Sequence, residues 1–179
     1  MAIDNNEYEI SNMINSLAKI LRYSIDKSNN MVYMHEEIEW LKQYIYLQQT
    51  RMKYTFDYKI DVDEQVLEYK VHKLLFQPFV ENSIIHGFER LKQGGLLTVR
   101  VKDNNRNIVV TLTDNGKGIS ESIVNRLNNN LMDKASKSSH IGIENVKERL
   151  SIYYGTAANV KIESIEGNGT TVCIQIPKL

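Results

Sequence analysis

Cysteine is nearly absent: Cys173 is the only one in 179 residues, which excludes an intrachain disulfide and any multi-cysteine zinc site. A lone thiol fits a reducing compartment. Net charge is absent too, since 22 Lys and Arg balance 22 Asp and Glu, and no field remains to gather nucleic acid or anionic lipid non-specifically. No run of about 18 apolar residues occurs, and Met1–Ile10 is acidic and polar. Neither a membrane-spanning helix nor a secretory signal is expected in this stretch. What is present is a globular composition, 42% hydrophobic and 25% charged, in a length that suits one core with a small appendage.

Two units follow from a change of period. Over residues 1–53 the apolar positions Ile10, Ile14, Leu17 and Leu21 draw a seam along one helix, with Met13 and Ile20 beside it. After Lys27-Ser28-Asn29-Asn30 a second helix carries one stripe at Ile38, Leu41 and Ile45 and another at Trp40, Tyr44 and Leu47. Glu36, Glu37 and Glu39 stand at its start and Arg51 and Lys53 at its end, as a helix dipole favours. The pair reads as an antiparallel hairpin, and two stripes on one helix predict that a second chain or an absent segment covers part of it.

From Tyr54 the period is two, through Phe56, Tyr58, Ile60 and Val62. Residues 54–179 then predict a long helix over 73–90, paired strands at 97–102 and 108–113, a helix from the N-cap Ser120 through Leu131, a helix opened by Gly142 and closed by Gly155, and strands at 159–165 and 170–176. The fold class is α+β: a two-layer α/β sandwich with helices on one face of a mixed, mostly antiparallel sheet, preceded by a partial helical hairpin.

Three stretches could carry chemistry. Asn82 and His86 in Glu81-Asn82-Ser83-Ile84-Ile85-His86-Gly87 share a helix face, apart from the apolar stripe Phe76, Val80 and Ile84. An amide oxygen there suits Mg²⁺, which takes few protein ligands and completes its shell with phosphate and water; the same pattern also describes the solvated side of an amphipathic helix. Asp114-Asn115-Gly116-Lys117-Gly118 ends a strand with a carboxylate able to accept from an exocyclic amine such as that of adenine, and it is equally strong turn chemistry. Ser139-His140-Ile141-Gly142-Ile143 runs into a helix N-terminus, an anion site or simply a capped start. Gly167-Asn168-Gly169-Thr170 is a hairpin turn.

The order of these motifs resembles the ATP-binding domain shared by histidine kinases, gyrase, Hsp90 and MutL, the GHKL superfamily. Within it the chain is similar to sensor histidine kinases of the LytS/YesM type: residues 73–87 resemble their Leu-Gln-Pro-Leu-Val-Glu-Asn-Ala-x-x-His-Gly signature, Gly142-Ile143-Glu144-Asn145-Val146-Lys147-Glu148-Arg149-Leu150 their Gly-Leu-x-Asn-Val-x-x-Arg-Leu, and Ile10–Lys53 their dimerisation helices. The resemblance implies ATP and Mg²⁺ as cofactors, with Asn82 on the metal and Glu81 beside it as a catalytic or polar-positioning group. It places His86 near the phosphates, Asp114 on the adenine amine, and Gly116, Gly118 and Ile119 along that wall. Lys137 falls in a mobile lid, Lys134–Ser139, with His140 after it; the Gly142 and Ile143 amides meet phosphate, and Thr170 borders the site. Two positions depart from the pattern: His140 stands where the lid's first glycine is usual, and Ser83 where Ala is usual.

The family's acceptor histidine lies in a Pro-His-Phe-Leu-x-Asn motif that the four histidines here, His35, His72, His86 and His140, do not match. The chain is therefore expected to be the cytoplasmic end of a plasma-membrane bacterial sensor, cut after its acceptor. The partners implied are a second copy through the N-terminal helices and a response regulator, with no nucleic acid, and with membrane contact only through missing N-terminal segments. An ATP hydrolase or clamp of the superfamily, with Glu81 as base, and a nucleotide-dependent protein-binding module are the alternatives.

Overall fold

Helix α1 (Ala2–Ile25) leads through strand β1 (Met31–Tyr33) into helix α2 (Met34–Arg51). The structure is a computed structural model that describes residues 2–26, 30–89, 91–129 and 141–178. Ser16 Oγ donates to Gln43 Oε1 at 2.8 Å, Tyr23 Oη to Glu37 Oε2 at 2.6 Å and Tyr54 Oη to Glu9 Oε1 at 2.9 Å. Rising numbers on one helix meet falling numbers on the other, so the hairpin is antiparallel. Glu36 Oε2 accepts the Tyr33 N–H at 2.8 Å and so fastens the start of α2.

The stripes are partnered differently from expectation. Five of the six stripe residues of α2, Ile38, Trp40, Leu41, Tyr44 and Ile45, are buried in the one core cluster that also holds the sheet, while Leu47 is only half-buried and outside that cluster. This chain's own β-structure and α1 cover those five, so a second chain or an absent segment is left at most the ground around Leu47. On α1, by contrast, it is Ser16, Ile20 and Tyr23 that turn inward, while Ile10, Ile14, Leu17 and Leu21 remain 48–61% exposed. Periodicity locates an apolar stripe without saying which neighbour it meets.

After α2 come β2 (Phe56–Val62), β3 (Lys70–His72), helix α3 (Gln77–Glu81), β4 (Gly95–Asn104), β5 (Asn107–Asp114), α4 (Glu121–Asn128), α5 (Ile141–Tyr154), β6 (Asn159–Ile165) and β7 (Gly169–Pro177). Five strands form a mixed sheet in the order β2-β4-β5-β7-β6; β2 runs parallel to β4 and the other pairs are antiparallel. A parallel neighbour requires a crossover, and β3 and α3 supply it, so the first strand is not in a hairpin. β1 and β3 make a separate antiparallel pair, Met31 opposite His72 and Tyr33 opposite Lys70.

That short pair also corrects the helix predicted over 73–90. Residues 70–72 pair with β1 as β3, residues 73–76 form a turn with Leu74 at φ +57°, and helix begins only at Gln77, with Pro78 in the first turn, where no N–H is needed. Ser120 stands at the N-cap position of α4 but its hydroxyl makes no capping bond and lies 3.2 Å from that of Ser122, and α4 ends at Asn128, with Leu131 outside the described residues; Gly142 lies one residue inside α5, and Gly155, at φ +60°, follows its end. Inward rows of the sheet align Val99 with Leu112 and Val172, and Val101 with Val110 and Ile174. All six are buried, and α3 and α5 share their core cluster through Val80, Ile143, Val146 and Leu150.

Candidate functional site

The next inward row is Leu97, Asp114 and Thr170, which puts a carboxylate where β5 has so far offered Ile108, Val110 and Leu112. Asp114 is 5% exposed. A buried carboxylate is tolerated when donors meet it. Ser83 Oγ donates to Oδ2 at 2.7 Å and the Gly116 N–H to Oδ1 at 2.9 Å. Burial pushes Asp114 above the ordinary carboxylate range, and the hydrogen bonds from Ser83, Gly116 and Thr170 pull the other way.

Behind it the chain packs too closely for side chains. A Cβ on Gly116 would stand 2.5 Å from the Gly87 carbonyl oxygen, and Gly118, at φ +65°, would place one 2.2 Å from the Ile165 oxygen. At Gly142 an added Cβ would make only ordinary contacts, 3.7 Å from Pro78 and 3.9 Å from Asn82 Nδ2. The protein's own packing does not demand glycine there.

Past Glu81 the helix continues as a π-helical turn, Asn82–Gly87, in which the Phe88 N–H donates to the Ser83 carbonyl five residues back at 3.0 Å. Such turns recur at functional sites. Here the turn brings Asn82, Ser83, His86 and Gly87 to one cavity of about 240 Å³, whose other walls are Phe79, Asp114, Lys117, Gly118, Ile119, Ile123, Ile143, Thr170 and Val172. A wider opening of about 360 Å³ lies beside α1, lined by Lys19, Arg22, Asp26, Glu36, Lys70 and Lys73 among others. The smaller cavity combines apolar walls with a buried carboxylate, the character of a small-molecule site.

Seven of the sequence-predicted residues thus meet: Asn82, His86, Asp114, Gly118, Ile119, Ile143 and Thr170. Gly116 backs the cavity against Gly87, and Gly142 lies beside Asn82. Glu81 is not among the lining residues; its Oε1 accepts from Gln77 Nε2 at 2.6 Å, and it hydrogen-bonds the Tyr44 hydroxyl of α2. Lys137, His140 and the stretch Lys134–Ser139 lie outside the described residues. Sequence reasoning gave no role to Ser83, Lys117 or the apolar walls Phe79, Ile123 and Val172. For Ser83 the signal was its place three residues after Val80, on the helix's buried side.

Asn82 Nδ2 donates to the Pro78 carbonyl at 2.7 Å, which fixes the amide plane, and among the described residues no donor meets its Oδ1. No group of three or more His, Cys, Asp or Glu among the described residues could hold a metal. The Asn82 amide oxygen could serve a Mg²⁺ that otherwise takes ligand oxygens and water.

Residues 70–179 match the family described as histidine kinase-, DNA gyrase B- and HSP90-like ATPase, and residues 1–56 match the family described as histidine kinase. The chain is 33% identical over 167 residues to a sensor-like histidine kinase of Staphylococcus epidermidis and 28% identical over 165 residues to the sensor protein kinase HptS of Staphylococcus aureus. Each alignment covers 92% of this chain and 32% of the relative, so the chain spans about a third of the length of the curated relatives it matches. Among solved structures, the catalytic domain of the histidine kinase ThkA superposes with a TM-score of 0.62 at 16% identity, over 83% of this chain and 95% of that one. The histidine kinase domain of a blue-light-activated kinase from Erythrobacter litoralis gives 0.60 at 16%, over 95% and 75%. ThkA in complex with the response regulator protein TrrA gives 0.62 at 17%, over 99% and 51%. At these identities the likeness is one of fold.

Proposed function

The chain belongs to the histidine kinase-, DNA gyrase B- and HSP90-like ATPase family, as the ATP-binding catalytic region of a sensor histidine kinase, and on that premise we propose that its cavity holds adenine against Asp114 and the Mg²⁺-bound phosphates beside Asn82. The observation that carries the reading is the buried Asp114 carboxylate, whose two oxygens are oriented by Ser83 and Gly116 at the polar end of an apolar slot.

Ionised Asp114 accepts a hydrogen bond from the exocyclic amine while Ile119, Ile123, Ile143 and Val172 exclude water around the ring. Asn82 Oδ1 is the metal ligand. Bound Mg²⁺ neutralises charge on the phosphoryl oxygens, the main requirement of a transfer that needs little covalent help. His86, exposed at the rim, lies beside the phosphates, and the amides of Gly142 and Ile143 at the start of α5 meet their oxygens. Lys137 and His140 belong to the lid. Glu81, tied to Gln77 and Tyr44, serves the site through α3 rather than as a base for water.

Residues 54–179 are the catalytic module and residues 1–53 the dimerisation helices, with the exposed stripe of α1 as the contact between two copies. The γ-phosphoryl passes to a histidine of a dimerisation region that carries the acceptor motif, then to a response regulator, the kind of partner with which the ThkA neighbour was solved. Among the described residues no helix is long and apolar enough to cross a membrane, and membrane attachment in the parent sensor falls to other segments.

Incubation with γ-labelled ATP tests this. The chain alone is expected to bind Mg-ATP with little or no labelling, and an acceptor-containing chain is expected to gain acid-labile label when it is added. Label on His35 or another resident histidine, or steady phosphate release without any acceptor, would overturn the assignment.

A further inference from the structure

The turn that launches α3 is gripped from two sides by charged side chains that nucleotide binding does not use. From α2, Glu37 is fully buried and accepts the Leu74 N–H at Oε2 and the Leu75 N–H at Oε1, both at 3.0 Å. From α5, Arg149 donates Nη2 to the Lys73 carbonyl at 2.8 Å and Nη1 to that of Leu74 at 3.4 Å. Leu74 sits at φ +57°, a left-handed conformation that a residue with a branched side chain adopts only when its surroundings impose it. The N–H side of this turn therefore belongs to α2 and its carbonyl side to α5.

A third element closes the grip. Tyr23 of α1 donates its hydroxyl to the same Glu37 Oε2 at 2.6 Å, while Lys73 Nζ lies 4.5 Å from the Tyr23 ring centre and donates to the Asp26 carbonyl, just past α1, at 2.9 Å. On the other side the turn leads directly to Asn82. The Phe79 and Val80 N–H groups both bond the Phe76 carbonyl at 3.2 Å, and Asn82 Nδ2 is tied to the Pro78 carbonyl in that same first turn. An unbroken series of hydrogen bonds and short backbone links runs from the Tyr23 ring to the amide that faces the cavity.

We propose that Glu37 is a positioning residue for Asn82, and that the Tyr23–Glu37 hydrogen bond couples the placement of α1 to metal-dependent nucleotide binding. The proposal rests on the nucleotide reading of the cavity. Four donors from two other segments, the Tyr23 hydroxyl and the backbone N–H groups of Leu74, Leu75 and Phe76, converge on one buried carboxylate, where a leucine would fill the space without orienting anything. A shift of α1 that broke the Tyr23 bond would loosen Leu74 and Leu75 and with them the first turn of α3.

The test is calorimetric titration of ATP, in Mg²⁺ and in EDTA, into the wild-type chain and its Tyr23→Phe and Glu37→Gln variants, with amide hydrogen exchange followed at residues 74–83. Wild type is expected to bind more tightly with Mg²⁺ than without. Glu37→Gln turns an amide N–H toward a backbone donor and is expected to lose about tenfold in Mg²⁺, Tyr23→Phe roughly threefold, both with little change in EDTA and with faster exchange at residues 74–83. A folded variant that keeps the wild-type ratio of the two affinities overturns the proposal, as does an equal loss under both conditions, which marks a purely structural role. Should Glu37→Gln fail to fold, Tyr23→Phe decides. No binding by wild type overturns the nucleotide reading itself, and this proposal with it.

Discussion

The Ser83 hydroxyl donates to Asp114 Oδ2 across 2.7 Å, so the residue next to the proposed metal ligand also orients the proposed adenine acceptor. On that proposal one helical turn serves both ends of the nucleotide. The position at which this chain departs from the family's usual Ala has become a hydrogen bond inside the site.

Asp114→Asn keeps the shape of the side chain but lowers its capacity to accept from an amine while Ser83 and Gly116 still donate. Calorimetry is expected to show nucleotide affinity reduced by about a hundredfold, of the order of a lost charged hydrogen bond with a donor left facing it. An unchanged affinity in the folded variant would remove Asp114 from the site. Ser83→Ala takes away one of two orienting donors and is expected to cost a smaller factor, roughly fivefold.

Nucleotide binding and fold stability should respond to pH in opposite directions. Burial raises Asp114 and Glu37 above the ordinary carboxylate range, so in the window between the ordinary and raised values the folded state binds more protons than the unfolded one. The stability owed to these groups is fully present below the unfolded value and is lost as pH rises through the folded value. Thermal melts across mildly acid pH should therefore show a shallower decline for Glu37→Gln than for wild type. Adenine binding needs ionised Asp114 and should strengthen over the same rise, an effect that calorimetry at stepped pH would record.

Asn82→Asp replaces the Nδ2 that holds the Pro78 carbonyl with a second acceptor oxygen, so the side chain swings away from its present plane. ATP binding in Mg²⁺ is expected to disappear while the melting temperature stays within a few degrees, roughly the shift of a single lost hydrogen bond. Retained binding would place the metal elsewhere.

Glutamate at Leu17 or Leu21 puts a charge in the exposed stripe of α1 without touching the inward Ser16 and Tyr23. Sedimentation is expected to show dimers for the wild-type chain and monomers for the variants, with ATP affinity unchanged. A wild-type chain that is monomeric, or variants that remain dimers, would rule this stripe out as the interface.

Much of the site could be read before folding because its parts are short and local. Asp114 closes an alternating strand, Gly116 and Gly118 follow it at once, and Asn82 and His86 share one helical stretch. Glu81 shows the limit: its neighbour Asn82 reaches the cavity, while its own carboxylate turns to Gln77 and Tyr44. Which side of a five-residue helix a side chain occupies depends on where the helix starts. That start lies at Gln77 rather than Lys73 because residues 73–76 form a turn, with Leu74 at φ +57° and the Leu74 and Leu75 N–H groups held by Glu37.

The sequence by itself determined the two periodicities, the α+β class and the order of the nucleotide motifs, because each is a property of neighbouring residues. Tertiary structure alone decided which stripe of α1 stays open, that all but Leu47 of the two α2 stripes is buried by this chain's own sheet and α1, and that Glu37, one of three acidic residues at a helix start, is the buried one gripping the turn before Asn82. Those outcomes depend on contacts between residues some tens of positions apart, and local pattern carries no record of which distant surface a side chain meets.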